Sequence, residues 1–205
     1  MYCFEVKTLG EAWINSMKLI RKSGEMIKDE DVVLKEKRNL YISIDDVSEE
    51  DEIIKKYANK DRIELMKKKY FTCGLVGDYK LDYGSYIFNN RGINQFDWLC
   101  KKLKEKPETK SATISLHIAG EDKLTCLSLL DFKLRDNKLT MTAVYRSQNV
   151  YSSQPGNIIA LRKLQQSLAD NINVEVGKFE LVVMSAHIYE YDFGNVEKLL
   201  KEFDK

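Results

Sequence analysis

The sequence predicts a mixed α/β (α+β) fold in a single domain spanning residues 1–205. Three observations lead there. Short β-branched and aromatic runs alternate with helical patterns along the chain. Asp136-Asn137 supplies turn chemistry between two strand-like segments. No internal repeat, low-complexity tract or Pro/Gly-rich linker divides the chain. A chain of 205 residues with 43% hydrophobic composition is long enough for one well-buried core and short for two.

Tyr2 to Val6 reads as a first strand, followed by a helix in which Trp13, Met17 and Ile20 recur at i, i+4 and i+7. Val32 to Ile44 is a second extended stretch. Ser48 to Tyr70 is helix-prone and dense in Glu and Lys, which reads as a solvated face rather than a binding patch. Gly74, Gly77, Gly84 and Gly92 punctuate an irregular region before a helix from about Ile93 to Lys106, stopped by Pro107.

Cys126 to Leu134 and Leu139 to Arg146 should form a hairpin. A two-residue loop at 136 and 137 pairs Cys126 with Ser147 and Arg146 with Leu127, so thiol and guanidinium meet across the ladder within one residue of register. Leu139, Met141, Ala143 and Tyr145 alternate with Thr140, Thr142, Val144 and Arg146. One face can then be buried while Arg146 projects from the other.

Ser152 to Asn157 reads as a helix start, with serines able to cap and Pro155 near the first helical position. Ile158, Leu161, Leu164 and Leu168 supply its apolar stripe, which puts Asn157 in the opening turn. Phe179 to Tyr189 is a long apolar strand on which His187 and Tyr189 share a face. Val196, Leu199, Leu200 and Phe203 make a short terminal helix expected to pack on the sheet.

Lys+Arg 33 against Asp+Glu 32 leaves a net charge of +1, which offers no general attraction to nucleic acid or to an anionic membrane. Apolar stretches are strand-length and Glu5 interrupts the N-terminus, so neither a membrane span nor a secretory segment is expected, and the chain belongs in the cytoplasm. Cys3, Cys73, Cys100 and Cys126 contain no C-x-x-C, and the histidines are only His117 and His187. That argues against a metal site and against a disulfide framework.

Covalent chemistry on a pyrimidine needs a nucleophile, a cation, a base-reading amide and sugar contacts. Cys126, Arg146 with Ser147, Asn157, and His187 with Tyr189 supply these in order. Each residue also has a plainer role: a strand cysteine as a small buried hydrophobe, Arg146 as a surface ion-pair partner, His187 as a core histidine, and Asn157 as a helix-start residue.

Taken together, these motifs resemble the thymidylate synthase and pyrimidine hydroxymethylase family from about Tyr83 to Asp192. Tyr83-Gly84, Arg91-Gly92-Ile93-Asn94-Gln95 and the Pro107 turn between Leu103 and Ser111 resemble family segments, and Cys126 falls at the nucleophile's place. The resemblance implies a thymidylate synthase-like mixed sheet packed by helices. It further implies that Cys126 adds to deoxyuridylate, that Arg146 and Ser147 bind its phosphate, and that Asn157 reads uracil where Asp would mark cytosine. His187 and Tyr189 would bond the sugar, Tyr83 would help to move protons, and Lys110 stands where a dimer partner donates a phosphate contact. The implied donor of one carbon is a reduced folate or pterin, with no metal, and the chain is expected as a monomer or homodimer.

Several family features are missing. The N-terminal phosphate loop corresponds to acidic Lys28-Asp29-Glu30-Asp31, the paired arginines to Lys110 and Ser111, and three family positions to Leu127, Asn149 and Ser185. The essential glutamate is not placed, Glu52 and Glu64 being the candidates, and the chain ends soon after the His/Tyr strand without a folate-closing segment. This pattern resembles the short, archaeal-type branch. A hydroxymethylase, a nucleotide-binding paralogue without turnover, and a substrate other than a simple monophosphate stay open as alternatives.

Overall fold

The computed structural model describes residues 2–77 and 82–204. Strand β1 (Tyr2–Thr8) passes directly into helix α1 (Leu9–Ser23), because the Thr8 side chain accepts a hydrogen bond from the Glu11 amide while the Thr8 amide donates one to the Glu11 carboxylate. β2 (Glu25–Asp29) and β3 (Val32–Asp46) then form an antiparallel hairpin around Glu30, whose φ of 53° is in the left-handed region. The sequence pattern missed β2. Its alternating charges carry no apolar signal, because neither face is buried.

The charged stretch from Ser48 to Tyr70 is two helices, α2 (Glu52–Tyr57) and α3 (Lys60–Phe71), capped by Asp51 and Asn59. It is not simply a solvated face. Ile63, Met66, Lys69 and Tyr70 are buried. α4 (Gly84–Phe88) and α5 (Gln95–Glu105) follow, the latter capped by Asn94, and then the short strand β4 (Ala112–Ser115).

β5 (Leu127–Arg135) and β6 (Lys138–Tyr145) form the expected hairpin around Asp136 and Asn137, both at positive φ. The register holds from Arg135↔Lys138 to Leu129↔Val144 and then shifts by one at a bulge beside Ser128, so that Leu127 faces Tyr145. Cys126 therefore lies opposite Arg146, not Ser147: the Arg146 amide donates to the Cys126 carbonyl at 2.9 Å.

The two-residue strand β7 (Gln148–Asn149) leads into α6 (Val150–Ile172). This helix starts earlier than expected. Asn149, not a serine, caps it by accepting from the Ser152 amide at 3.2 Å, and Pro155 lies inside it. Asn157 is consequently two turns into the helix and not in its opening turn. β8 (Glu175–Tyr189) follows, then a 3-10 turn (Glu190–Asp192) and α7 (Phe193–Lys201), which makes its main contacts with α1 rather than with the sheet.

Among the described residues, the strands form one eight-stranded mixed sheet in the order β1-β3-β8-β6-β5-β4, with β2 on β3 and β7 on β8. β8 is antiparallel to β3 and parallel to β6. α6 packs on this sheet on one side and on α3 and α1 on the other, so its residues are buried almost all round. That surrounds Asn157 with the core while its neighbouring elements open onto a cleft.

Candidate functional site

Residues from several parts of the chain converge on a cleft of about 510 Å³. The β2–β3 hairpin contributes Asp29 and Glu36, and α3 contributes Arg62 and Met66. Cys126, Arg146 and Ser147 come from the open end of the β5–β6 hairpin, Asn157 from α6, and His187 and Tyr189 from the end of β8. Tyr83, just before α4, also lines it.

Cys126 is exposed to this cleft. Arg146 is tied to the loop that carries the thiol: its Nε–H donates to the Thr125 carbonyl at 3.0 Å and its Nη2 to the Leu124 carbonyl at 2.9 Å. Its Nη1 lies 3.4 Å from Ser147 Oγ. The guanidinium thus holds the loop that carries Cys126 in place and still presents its charge to the cleft.

Asn157 is buried, and its Oδ1 accepts from the Tyr70 hydroxyl at 3.4 Å. The Tyr70 and Tyr145 hydroxyls lie 2.5 Å apart. Both rings are fully buried, and burial pushes both phenols well above their ordinary range, so they stay neutral donors and acceptors. This hydroxyl chain fixes the amide that lines the cleft.

His187 and Tyr189 share one face of β8 with ring centroids 5.0 Å apart. Burial lowers the His187 pKa, opposed by the Ser185 carbonyl 3.4 Å from Nδ1, so the ring is neutral at neutral pH. A neutral imidazole beside a phenol can exchange hydrogen bonds with a hydroxyl.

Tyr83 is buried, stacked on Tyr70 at 4.4 Å, with the Lys69 ammonium 4.5 Å from its ring centroid. Lys69 is only 8% exposed. Burial lowers its pKa to about 8, with Arg62 acting in the same sense and Cys126 and Asp82 opposing. A cation whose charge is coupled to the Cys126 sulfur therefore lies beneath the cleft wall.

Sequence reasoning missed Lys69, Tyr70, Tyr145, Gln148 and Arg62. Gln148 was masked because the chain bends at Arg146 between β6 and β7, so strand alternation does not carry from Arg146 to Gln148. Its Nε2 is sealed from solvent without an acceptor, while its Oε1 accepts from Gln154 at 3.0 Å. Lys69 and Tyr70 are masked by the charge of α3. Lys110 is exposed in the turn before β4 and does not line the cleft. Neither does Glu52 or Glu64; Glu64 is exposed and pairs with Lys67.

Residues 41–204 match the thymidylate synthase family model. The chain belongs to the thymidylate synthase family. It is 31% identical to a protein named "Putative thymidylate synthase" from Methanosarcina barkeri, over 95% of this chain and 93% of that relative. It is 30% identical to proteins of the same name from Methanosarcina mazei, over 95% and 93%, and from Methanothermobacter thermautotrophicus, over 98% and 99%. Membership of the thymidylate synthase family points to a methyltransferase-type enzyme of nucleotide biosynthesis, in a family that generally uses folate-type donors of one carbon. Among the described residues no cluster of His, Cys, Asp and Glu is arranged to hold a metal, and no helix is long and apolar enough to cross a membrane.

Proposed function

We propose that this thymidylate synthase family member methylates deoxyuridylate at carbon 5 to give thymidylate, through a covalent bond from Cys126. One observation carries the reading: an exposed thiol shares a single cleft with a guanidinium, a buried amide and a neutral His/Tyr pair.

Uracil is a poor nucleophile at carbon 5. Addition of the Cys126 sulfur to carbon 6 pushes the ring's double-bond electrons toward the carbon 4 oxygen, and the resulting enolate attacks through carbon 5. The proton leaving the thiol passes to the neutral amine of Lys69, whose lowered pKa keeps a usable neutral fraction near pH 7 to 8. When carbon 5 later releases its own proton to solvent, the C–H electron pair re-forms the ring's 5,6 double bond and the carbon–sulfur bond breaks with its electrons on sulfur, so the thiolate is restored. Asn157, oriented by Tyr70, reads the imide edge of the base. His187 and Tyr189 hold the sugar hydroxyl, and Arg146, Ser147 and Arg62 supply the phosphate side.

The donor needs space beside the nucleotide. A second cavity of about 540 Å³ shares Arg62 and Ser152 with the cleft, and a reduced folate or pterin fits there in size and polarity. When bound, that group supplies the one-carbon unit and the hydride.

A second reading concerns the substrate. Asp29 and Glu36 lie in the same cleft as Arg62 and Arg146, so the site carries less net positive charge than a dianionic phosphate favours. A less charged uracil derivative would suit those carboxylates. Incubation of deoxyuridylate, deoxyuridine and larger uridine derivatives with reduced folate, followed by mass analysis, tests both readings. Methylation adds one methylene unit to the preferred substrate. A product carrying an additional oxygen would mean a hydroxymethylase, and tight nucleotide binding without any product would mean a binding protein.

A further inference from the structure

The β3–β8 ladder sets a carboxylate beside the His/Tyr pair. Glu36 stands directly opposite His187, and Leu34 directly opposite Tyr189, so the side chains of these residues emerge on one face of the sheet. Glu36, His187 and Tyr189 all line the cleft. Sequence pattern gave Glu36 no prominence, because Lys35, Glu36, Lys37 and Arg38 read as an exposed charged run.

Glu36 is held on one side and open on the other. The Ser185 hydroxyl, reaching across from β8, donates to its Oε1 at 2.5 Å. Among the described residues its Oε2 accepts no hydrogen bond, and no lysine or arginine pairs with it. A carboxylate can accept at both oxygens, and one fixed by a partner on its own sheet has lost rotational freedom before any ligand arrives.

Counting donors and acceptors then points to the sugar. A neutral imidazole offers one donor and one acceptor, and a phenol can both donate and accept. A single sugar hydroxyl donates once and is satisfied by that pair alone. The Glu36 oxygen only accepts, so it calls for a second donor next to the first. In a ribose the 2′-hydroxyl lies beside the 3′-hydroxyl and supplies that donor, whereas the methylene of a deoxyribose would leave a charged acceptor facing carbon. Acidic side chains read the ribose hydroxyls of dinucleotides by the same chemistry.

We propose that Glu36, held by Ser185, accepts from the 2′-hydroxyl of the substrate's sugar, so that the cleft takes uracil ribonucleotides at least as tightly as the deoxyribonucleotide. The assignment rests on the reading of the cleft as a uracil nucleotide site with His187 and Tyr189 on the sugar, and it makes Glu36 the residue that sets sugar specificity. Ser185 is a positioning residue that acts through the carboxylate.

Calorimetric titration of the intact chain with uridylate, deoxyuridylate and 2′-fluoro-2′-deoxyuridylate tests this. The wild type should bind uridylate at least as tightly as deoxyuridylate. The fluoro analogue, whose fluorine cannot donate, should bind at least about tenfold more weakly than uridylate. Glu36→Leu, which keeps the bulk and removes both acceptors, should shift the preference toward deoxyuridylate by at least about tenfold. Glu36→Asp, which keeps the charge on a shorter stem, should restore part of that loss, and Ser185→Ala should shift the preference in the same direction as Glu36→Leu but by less. Tighter binding of deoxyuridylate than of uridylate by the wild type, equal binding of the fluoro and hydroxyl forms, or the same loss for both nucleotides in Glu36→Leu would each overturn the assignment. The wild-type comparisons decide the matter even where a variant fails to fold. Exchange of the carbon 5 hydrogen separates the two failures. Exchange from deoxyuridylate without any advantage for the 2′-hydroxyl means that only the sugar is wrong, whereas no binding of any uracil nucleotide removes the reading of the cleft itself and the role of Glu36 with it.

Discussion

Lys69 ties stability to chemistry at a single residue. Its folded pKa of about 8 lies below the unfolded value of about 10.4, so below pH 8 both states hold the proton and the folded state bears the full cost of a buried charge. Between about pH 8 and 10 the unfolded chain binds more protons than the folded one, and stability rises with pH. The shift corresponds to about 3 kcal/mol. Lys69→Met is therefore expected to raise unfolding free energy at pH 7 by up to about that amount and to flatten the rise above pH 8, as read by urea denaturation. The same variant should slow alkylation of Cys126 by iodoacetamide at pH 7 in a background lacking the other three cysteines. Unchanged stability together with unchanged alkylation would remove Lys69 from the site. Nothing in the local sequence marked this residue, because one buried lysine among Lys67, Lys68 and Lys69 looks like its neighbours until the helix phase is known.

Elements explain which parts of the site were legible. The hairpin turn, the alternation along β6 and the spacing of His187 and Tyr189 are local patterns, and each survives in the structure. The bulge beside Ser128 is not local. It depends on where the ladder must bend to bring Cys126 opposite Arg146, and a slip of one residue would turn every side chain to the other face. The start of α6 failed for a related reason: Pro155 suggests a first turn by propensity, but Asn149 caps earlier, and burial on nearly all sides offsets the hydrogen bond that proline removes. The contact of α6 with α3 is especially close. A Cβ on Gly156 would lie 2.9 Å from Met66 Cγ and 3.2 Å from the Ile63 Cα. Gly156→Ala should cost about 1–3 kcal/mol by overpacking, and by shifting α3 it should disturb Arg62 and Tyr70. Chemical denaturation checks the first effect and deoxyuridylate titration the second. A variant as stable as wild type with unchanged binding would show that α3 can retreat freely.

At the scale of the whole molecule, pH response reflects how the cleft is built into the core. Burial lowers the His187 pKa, so as pH falls below about 6.5 the unfolded chain takes up a proton that the folded chain resists, and stability declines. The raised Asp192 carboxyl acts in the opposite sense, since its folded form protonates first, so a variant comparison isolates the histidine better than the curve alone. His187→Gln should flatten the loss of stability between about pH 6.5 and 5 in thermal melts, and an unaltered slope would mean that the ring is accessible to protons in the fold. The general class of fold was readable from the sequence, and so was the gathering of Cys126, Arg146, His187 and Tyr189 in one cleft, because they follow one another along consecutive elements. The second cavity was not, since Trp13, Tyr57, Tyr151 and Asp192 lie far apart in the chain and meet only when α1, α2, α6 and the final turn pack together.

The central claim is that Cys126 bonds to carbon 6 of a uracil ring, and tritium release from deoxyuridylate labelled at carbon 5 tests it most directly. The wild type should release label into water, and Cys126→Ser, folded and still binding the nucleotide, should lose that release by at least about a thousandfold. Release that persists at the wild-type rate in Cys126→Ser, or that never occurs in the wild type with nucleotide bound, would contradict the account.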